Sequence, residues 1–366
     1  MQEILSKINL SKKAIEMWNE FDSSQKDLWS RYFDLQVVTK EDINKFSSYS
    51  HDYSYFLDNE DIAKVIFCAV VEILRYNNEN KMKRVFVGNS GGLDSATVCG
   101  LLGKAVKLSK DLGIEFDVVS YGLPLYSNPE HNLRASQTAQ TFGIRYVVIE
   151  NLNNILDEFK KSLSPLAEDF KFNEEELRRG FGNVKARMRM IVNFFGTTQS
   201  GSYVMSTDNL SELYMAFWTL MGDVGAFGPI QNILKGLELP AIAYALGVPE
   251  KTLGAKPTDG LEIHKSLDEK EGGDVDAFKG VHYPHLDAVI CHAVKNGLRL
   301  DSDLFVKVGA EYIDSDYASQ EVVDGLVKQM CSPGSIWKRE KGSIGSVIER
   351  DDLGLKTLDL VVEKLK

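Results

Sequence analysis

The segment of the chain best suited to chemistry is Ser90-Gly91-Gly92-Leu93-Asp94-Ser95. It follows a short apolar run, Val85-Phe86-Val87, and opens a helical stretch over Ser95–Ser109. A glycine-rich turn between strand and helix holds anions. Gly91 and Gly92 let the backbone turn tightly and approach a phosphate closely, and Ser90 and Ser95 add hydroxyl donors. The N-terminus of the following helix adds free N–H groups and its positive dipole end. Asp94 would repel phosphate unless a cation stands between them. Mg²⁺, which takes carboxylate, water and phosphate oxygens together, is the natural choice. The loop is neither a GxxxxGK[ST] phosphate loop nor a GxGxxG dinucleotide fingerprint.

Other candidates carry less. His282 and His285 have a metal-like spacing, but Pro284 between them disfavours helical ligand geometry and no third ligand stands out. Cys99, inside the helix after the loop, reads as a core residue. Cys68 lies in an apolar helical stripe, where a reactive thiolate is disfavoured. The four cysteines show neither zinc-ligand spacing nor a disulfide framework, so a reducing cytoplasm is the simplest compartment. The N-terminus lacks the apolar core of a signal peptide, and no apolar run is long enough to span a bilayer. A formal net charge of -11 argues against a duplex nucleic-acid partner, which would call for a basic face.

The elements that must position the loop can be read from periodicity. Strands are predicted at Val85–Val87, Phe116–Ser120, Tyr146–Ile149 and Tyr203–Met205, with helices over Asn128–Phe142 and about Asn173–Phe195 between them. Strands alternating with helices imply an α/β fold, a doubly wound parallel sheet of the Rossmann-like, adenine nucleotide hydrolase type. Such sheets bind ligands at the carboxyl ends of their strands. Three parts are expected: a helical N-terminal extension over residues 1–60, a catalytic domain over 61–290 and a helical C-terminal part over 291–366. The extension reads as a helical cap with its own small aromatic core (Met17, Trp18, Phe21, Trp29, Tyr32, Phe33), with a partner-binding surface as the other reading. Residues 262–280, polar, acidic and containing glycine, read as a mobile loop.

The SGGLDS loop resembles that of the N-type ATP pyrophosphatases, and further segments narrow the resemblance to the NAD synthetase family. Gly182-Asn183-Val184-Lys185-Ala186-Arg187-Met188-Arg189-Met190 is similar to the GNxKARxRM segment of that family. Ser206-Thr207-Asp208-Asn209-Leu210-Ser211-Glu212 is similar to GTxNxSE, with Ser206 in place of glycine. Phe217-Trp218-Thr219 with Gly222-Asp223, Gly247–Glu250, Lys256–Leu261 and Gly280–Tyr283 continue the match in order over roughly residues 60–290.

The resemblance implies an ammonia-dependent ligase that converts deamido-NAD to NAD through an acyl-adenylate, with ATP as co-substrate and Mg²⁺ as cofactor, and acts as a homodimer. It implies that Ser90, Gly91, Gly92, Leu93, Asp94, Ser95, Thr207, Lys235 and Thr258 contact ATP. Asp94 and Glu212 would hold Mg²⁺, and Asp94, Lys235 and Arg187 would serve the chemistry. The substrate side would be met by Arg187 and by Lys338, which stands near a C-terminal contact of the family. Two positions depart from the pattern: Leu220 replaces a lysine and Phe227 an aspartate that contact deamido-NAD. An apolar pair there could hold a pyridine ring, with Phe227 stacking on it. The departures leave open a different acceptor, or an inactive member that binds nucleotide and acts on a partner.

Overall fold

The computed structural model describes residues 2–258, 260–261, 273–310, 318–342 and 345–365. Among them six strands form one sheet: β1 (Arg84–Gly88), β2 (Asp117–Gly122), β3 (Arg145–Val148), β4 (Ser202–Met205), β5 (Phe227–Gly228) and β6 (Ser346–Val347). Their order is β3-β2-β1-β4-β5-β6 and every pair is parallel. Central β1 carries Val85, Phe86 and Val87, all buried, as an unbroken apolar run. That is the pattern of a parallel strand covered on both faces. The chain winds out from β1 through β2 to β3, then crosses back to place β4 on the other side of β1. The carboxyl ends of β1 and β4 therefore feed loops that diverge, and a crevice opens between them.

Helices cover both faces. On one side α6 (Leu93–Asp111) packs on α5 (Asn59–Glu79), α7 (Pro129–Thr141) and α11 (Leu239–Leu246). On the other, α9 (Glu174–Gly196) lies over β1 and β4 and beside α8 (Leu152–Asp169). Asn173 starts α9 with a reciprocal cap to Glu176. The short α10 (Leu210–Met215) follows β4, and α12 (Glu250–Leu253), α13 (Asp274–Ala277) and α14 (Tyr283–Lys295) follow α11. Of the segment read as a mobile loop, residues 262–272 lie outside the described residues. The rest contains α13 and is ordered by a buried Asp274. Among the described residues no helix is long and apolar enough to cross a membrane.

The N-terminal helices α1 (Gln2–Leu5), α2 (Ala14–Glu20), α3 (Ser23–Tyr32) and α4 (Lys40–Asn44) do not enclose a core of their own. Trp18, Phe21 and Trp29 close around Phe67 of α5, with ring centroids 5.3, 5.5 and 4.9 Å away. These rings belong to the same buried cluster as Val85 and Val87 of β1. Glu72, which interrupts the apolar run of α5, is buried because it accepts from the backbone N–H of Ala14 at 2.8 Å and from Arg75 at 2.6 Å.

The C-terminal part is helical in α15 (Gln320–Met330), α16 (Pro333–Lys341) and α17 (Leu358–Val362), but it also supplies β6 to the sheet. Beyond β6, Arg350 reaches the fully buried Glu238. Its Nη1 donates to Glu238 Oε2 at 2.8 Å and its Nη2 to Oε1, while Tyr55 donates to Oε1 at 2.6 Å. The N-terminal extension, the middle of the chain and its C-terminal part therefore meet on one carboxylate. Removing one partner of a buried ion pair strands the other charge and costs about 3–5 kcal/mol. Arg350→Leu is expected to lower unfolding stability by that amount in urea titration. A loss under about 1 kcal/mol would show that the pair does not tie these segments together.

Candidate active site

The crevice at the carboxyl ends of β1 and β4 holds a cavity of about 490 Å³. That falls within the roughly 300–1,000 Å³ range of small-molecule sites. The SGGLDS loop forms one wall. Gly91 adopts φ +76°, and a Cβ there would fall 2.2 Å from the His131 carbonyl oxygen, so only glycine fits. The Gly91 carbonyl accepts from Arg134 Nε at 2.9 Å, which fastens the loop to α7. Asn89, buried just before the loop, accepts from Gly91 N–H and donates to the Ala135 carbonyl at 3.0 Å. Ser95 accepts from Ser90 N–H at 3.2 Å, and the two hydroxyls lie 3.1 Å apart. Gly92 is the N-cap of α6 and offers no side chain, so the first N–H groups of a 19-residue helix are left for a ligand.

At the centre of the crevice stands the ammonium of Lys235. It lies 3.0 Å from Asp94 Oδ2, 3.2 Å from Glu212 Oε1 and 3.5 Å from Asp274 Oδ2, and 4.3 Å above the Tyr283 ring. Burial alone would discharge this lysine, but Asp94, Tyr283 and Glu212 hold its pKa well above the ordinary value. Glu212 is pushed up to about 8 by burial, with Lys235 opposing the shift and Asp94 adding to it. Asn209 joins the two carboxylates. Its Nδ2 donates to Asp94 Oδ1 at 2.8 Å, and its Oδ1 accepts from Glu212 N–H at 3.0 Å in the capping box that starts α10.

Behind the lysine the backbone is clamped by another buried carboxylate. Asp287 of α14 accepts from the N–H groups of Gly236 and Leu237 at 2.7 and 3.0 Å and from the Ser211 hydroxyl. Ser211 in turn accepts from Lys235 N–H at 3.0 Å. Two more carboxyls line the cavity away from the lysine. Asp208 is pushed up to about 6 by burial, and Ser206, which donates to it at 2.5 Å, opposes the shift. Asp223 is exposed, yet desolvation among the groups around it raises its pKa, with Arg189 opposing.

The structure brings Ser90, Gly92, Leu93, Asp94, Ser95, Thr207, Glu212, Lys235, Thr258 and Lys338 onto the lining of one cavity. Lys338 arrives from the C-terminal part on α16. It donates to the Ala216 carbonyl at 2.7 Å above the Trp218 ring, and burial lowers its pKa to about 8. Four sequence expectations fall elsewhere, the first being Gly91, which is buried behind the loop against His131 and does not line the cavity. Phe227 does not line the cavity: it is buried in β5, pairs with Met205, and its ring stacks on Tyr76 at 4.4 Å. An aromatic ring on an interior strand gains more by joining the core than by facing a polar cleft. Leu220 and Arg187 are also off the wall and are joined to each other, Arg187 Nη2 donating to the Leu220 carbonyl at 3.1 Å. Arg189 takes the cleft side of the helix instead, since residues two apart on a helix do not share a face.

Sequence reasoning missed Tyr49, Asp208, Asp223 and Asp274, all of which line the cavity. Asp208 and Asp223 lie inside segments singled out for their neighbours, where they read as spacers. Asp274 gives no usable signal in an acidic stretch. Tyr49 sits in an alternation of apolar and small polar residues, Tyr49 to Leu57, whose period of two is the signal that could have found it.

A doubly wound parallel sheet, with a glycine loop and an ion cluster at its switch point, defines a nucleotide-binding α/β protein. Residues 66–317 match the NAD synthase family. The chain is 30% identical to the NH(3)-dependent NAD(+) synthetase of Pyrococcus furiosus over 71% of its own length and 87% of that relative. It is 33% identical to that of Thermococcus sibiricus over 64% and 82%. The chain belongs to the NAD synthase family. Solved structures agree in fold: NMN synthetase from Francisella tularensis (TM-score 0.52, 22% identity, 75% of this chain and 94% of that one) and a glutamine-dependent NAD(+) synthetase from Cytophaga hutchinsonii (TM-score 0.57, 14% identity, 84% and 56%).

The placement of Phe227 has a measurable consequence. Phe227→Ala is expected to cost about 3–5 kcal/mol of stability, as a large aromatic removed from a core does. Chemical denaturation measures this. A variant as stable as wild type but weakened in ligand affinity would return Phe227 to the cavity wall.

Proposed function

We propose that the protein is an ammonia-dependent NAD synthetase, amidating the nicotinate carboxylate of deamido-NAD at the expense of ATP. The observation that carries this reading is Lys235, held between Asp94 and Glu212 beside an anion-binding loop, in a chain of this family. The nicotinate carboxylate, being already anionic, is a poor electrophile. Its oxygen bonds to the α-phosphorus of ATP while the bond to the bridging oxygen breaks and pyrophosphate leaves. Ammonia then attacks the acyl carbon, AMP departs, and the nitrogen loses a proton to give the amide.

The residues divide this work. The backbone of the SGGLDS loop and the N-terminus of α6 hold the phosphates that leave as pyrophosphate, with Ser90, Ser95, Thr207 and Thr258 as hydroxyl donors. Lys235 neutralises phosphate charge as a fixed cation. Asp94 and Glu212 keep side-chain exposures of 19% and 15% toward the cleft, and two hard carboxylates with substrate phosphate oxygens fit Mg²⁺. Held there, the ion would supply charge neutralisation on the phosphate oxygens. On the acceptor side Lys338, Trp218 and Arg189 are the groups available to meet the substrate's anionic and aromatic parts.

The mixture that tests this is protein, ATP, Mg²⁺, ammonium and deamido-NAD, assayed for NAD, AMP and pyrophosphate in equal amounts. Asp94→Asn and Glu212→Gln are each expected to lower turnover by about 10²–10³. Wild-type turnover in both would remove the metal assignment, and ATP use without NAD would point to another acceptor. Glutamine is not expected to replace ammonia with this chain. Its four cysteines are buried, and burial pushes the Cys99 thiol up to about 12, far from a nucleophilic thiolate. Efficient amidation with glutamine alone would contradict this. Buried free cysteines also suit a reducing cytoplasm.

The same reading includes a homodimer. Support comes from apolar side chains on neighbouring α8 and α9 that stand exposed: Ile155 at 50%, Phe159 at 43%, Ile191 at 59% and Phe195 at 78%. Exposed large apolar side chains on two packed helices are the kind of surface that marks interaction sites. Phe195→Glu is expected to shift the protein from dimer to monomer in sedimentation equilibrium. A wild-type protein that is monomeric at micromolar concentration would end this part of the reading.

A further inference from the structure

The family match begins at residue 66, inside α5, yet one residue of the cavity lining, Tyr49, comes from before it. Tyr49 is 1% exposed and lines the cleft. Its phenol is within electrostatic range of Lys235, Asp94, Asp274 and Glu212, the whole central cluster. The segment that carries it has no regular secondary structure but is fixed residue by residue. Tyr49, His51, Tyr53, Tyr55 and Leu57 are buried, while Ser50, Asp52 and Ser54 point to solvent.

Tyr49, His51, Tyr53 and Tyr55 are each anchored through side chain or backbone. The Asn44 amide bonds both the N–H and the carbonyl of His51, at 3.3 Å each, and Tyr49 N–H donates to the Phe46 carbonyl at 2.8 Å. Tyr53 shares a 2.9 Å hydrogen bond with His285 Nδ1, and Lys40 donates to the Tyr53 carbonyl. Tyr55 donates to Glu238. His285 lies on α14 between Tyr283, whose ring underlies the Lys235 ammonium, and Asp287, which clamps the turn just after Lys235. Glu238 ends that same turn. The extension is thus fastened to the two elements that hold the lysine.

We propose that Tyr49, supplied by the N-terminal extension, donates its phenolic hydrogen to a phosphate oxygen of the nucleotide bound at the Asp94–Lys235–Glu212 cluster, so that the extension completes the active site. Three carboxyl groups face one ammonium, and even with Glu212 protonated the charges of Asp94 and Asp274 outnumber that of Lys235, which a triphosphate must overcome. A neutral donor adds attraction for phosphate without another counter-charge. Burial raises the phenol's pKa, with the Lys235 ammonium opposing and the carboxylates adding to it, which keeps it in its donating form. The ring also excludes water from the back of the site, where an adenylate would be exposed to hydrolysis.

This rests on the function proposed above, and the test separates the two. Tyr49→Phe keeps the ring and removes only the hydroxyl. Calorimetric affinity for MgATP and for magnesium pyrophosphate would be measured on both proteins, together with the thermal unfolding midpoint and the KM for deamido-NAD. The expected result is an affinity for both phosphate ligands lowered about tenfold or more, the size of one lost hydrogen bond to a charged group. The unfolding midpoint and the KM for deamido-NAD stay where they are. Unchanged affinity in Tyr49→Phe overturns the inference. So does a loss that appears equally for deamido-NAD with a lowered midpoint, which would make Tyr49 a packing residue only. The calorimetric readout needs no turnover: a wild type that binds MgATP but makes no NAD refutes the proposed function and leaves the role of Tyr49 to be decided by the same comparison.

Discussion

The ammonium of Lys235, taken out of water and surrounded by Asp94, Glu212 and Asp274, is the constraint on which the rest of the structure turns. A buried charge of either sign is costly unless its partners are fixed in place. That requirement explains why so many polar side chains near it are themselves bonded. Asn209 spans Asp94 and Glu212, Asp287 holds the turn after the lysine, and Tyr283 donates to Asp274 at 2.8 Å while its ring supports the ammonium. The cluster is preorganised by the fold, so a phosphate ligand would meet charges already in position and would not have to gather them.

The sheet decides where such a cluster can form. Loops leaving β1 and β4 on opposite courses open the kind of gap in a doubly wound sheet that is lined by helix N-termini and strand ends together. The glycine loop enters from β1, Asn209 and Glu212 from the start of α10 after β4, and Lys235 from the turn before α11. The glycine loop is more than a hundred residues from the other two in the chain, so their meeting is a property of strand order.

The regions outside the family match are not decoration on this scaffold. The aromatic helices of the first sixty residues share one core with β1, and the C-terminal part adds both a strand and Lys338. Glu238, contacted by Tyr55 from one end of the chain and Arg350 from the other, links them through a single buried carboxylate. Cooperativity between the ends and the site follows from that connection, because loosening either end uncovers a charge next to the turn that carries Lys235.

What the sequence determined by itself is the local and the periodic. The apolar run of β1, the alternation of strands and helices, and a glycine pair whose backbone freedom suits an anion are all legible in residue type and spacing alone. So are Asp94, Glu212, Thr207 and Thr258, because they sit in segments whose order resembles a family, whereas Lys235 lies between those segments and was implied by the resemblance alone. The two-residue strands β5 and β6 are not legible, since so short a stretch carries no period, and only pairing with a neighbour makes it a strand. Phe227 shows the limit most clearly. Its alignment put it beside a substrate, but alignment fixes position along the chain and not the direction of a side chain. The pleat of β5 and the nearby ring of Tyr76 turned it into the core. Tyr49 shows the opposite case, a residue some forty-five positions before Asp94 and outside every recognised segment, carried to the cleft by hydrogen bonds to His285 and Glu238 from its neighbours. Long-range contacts of that kind depend on packing among elements distant in sequence, and only the tertiary structure decides them.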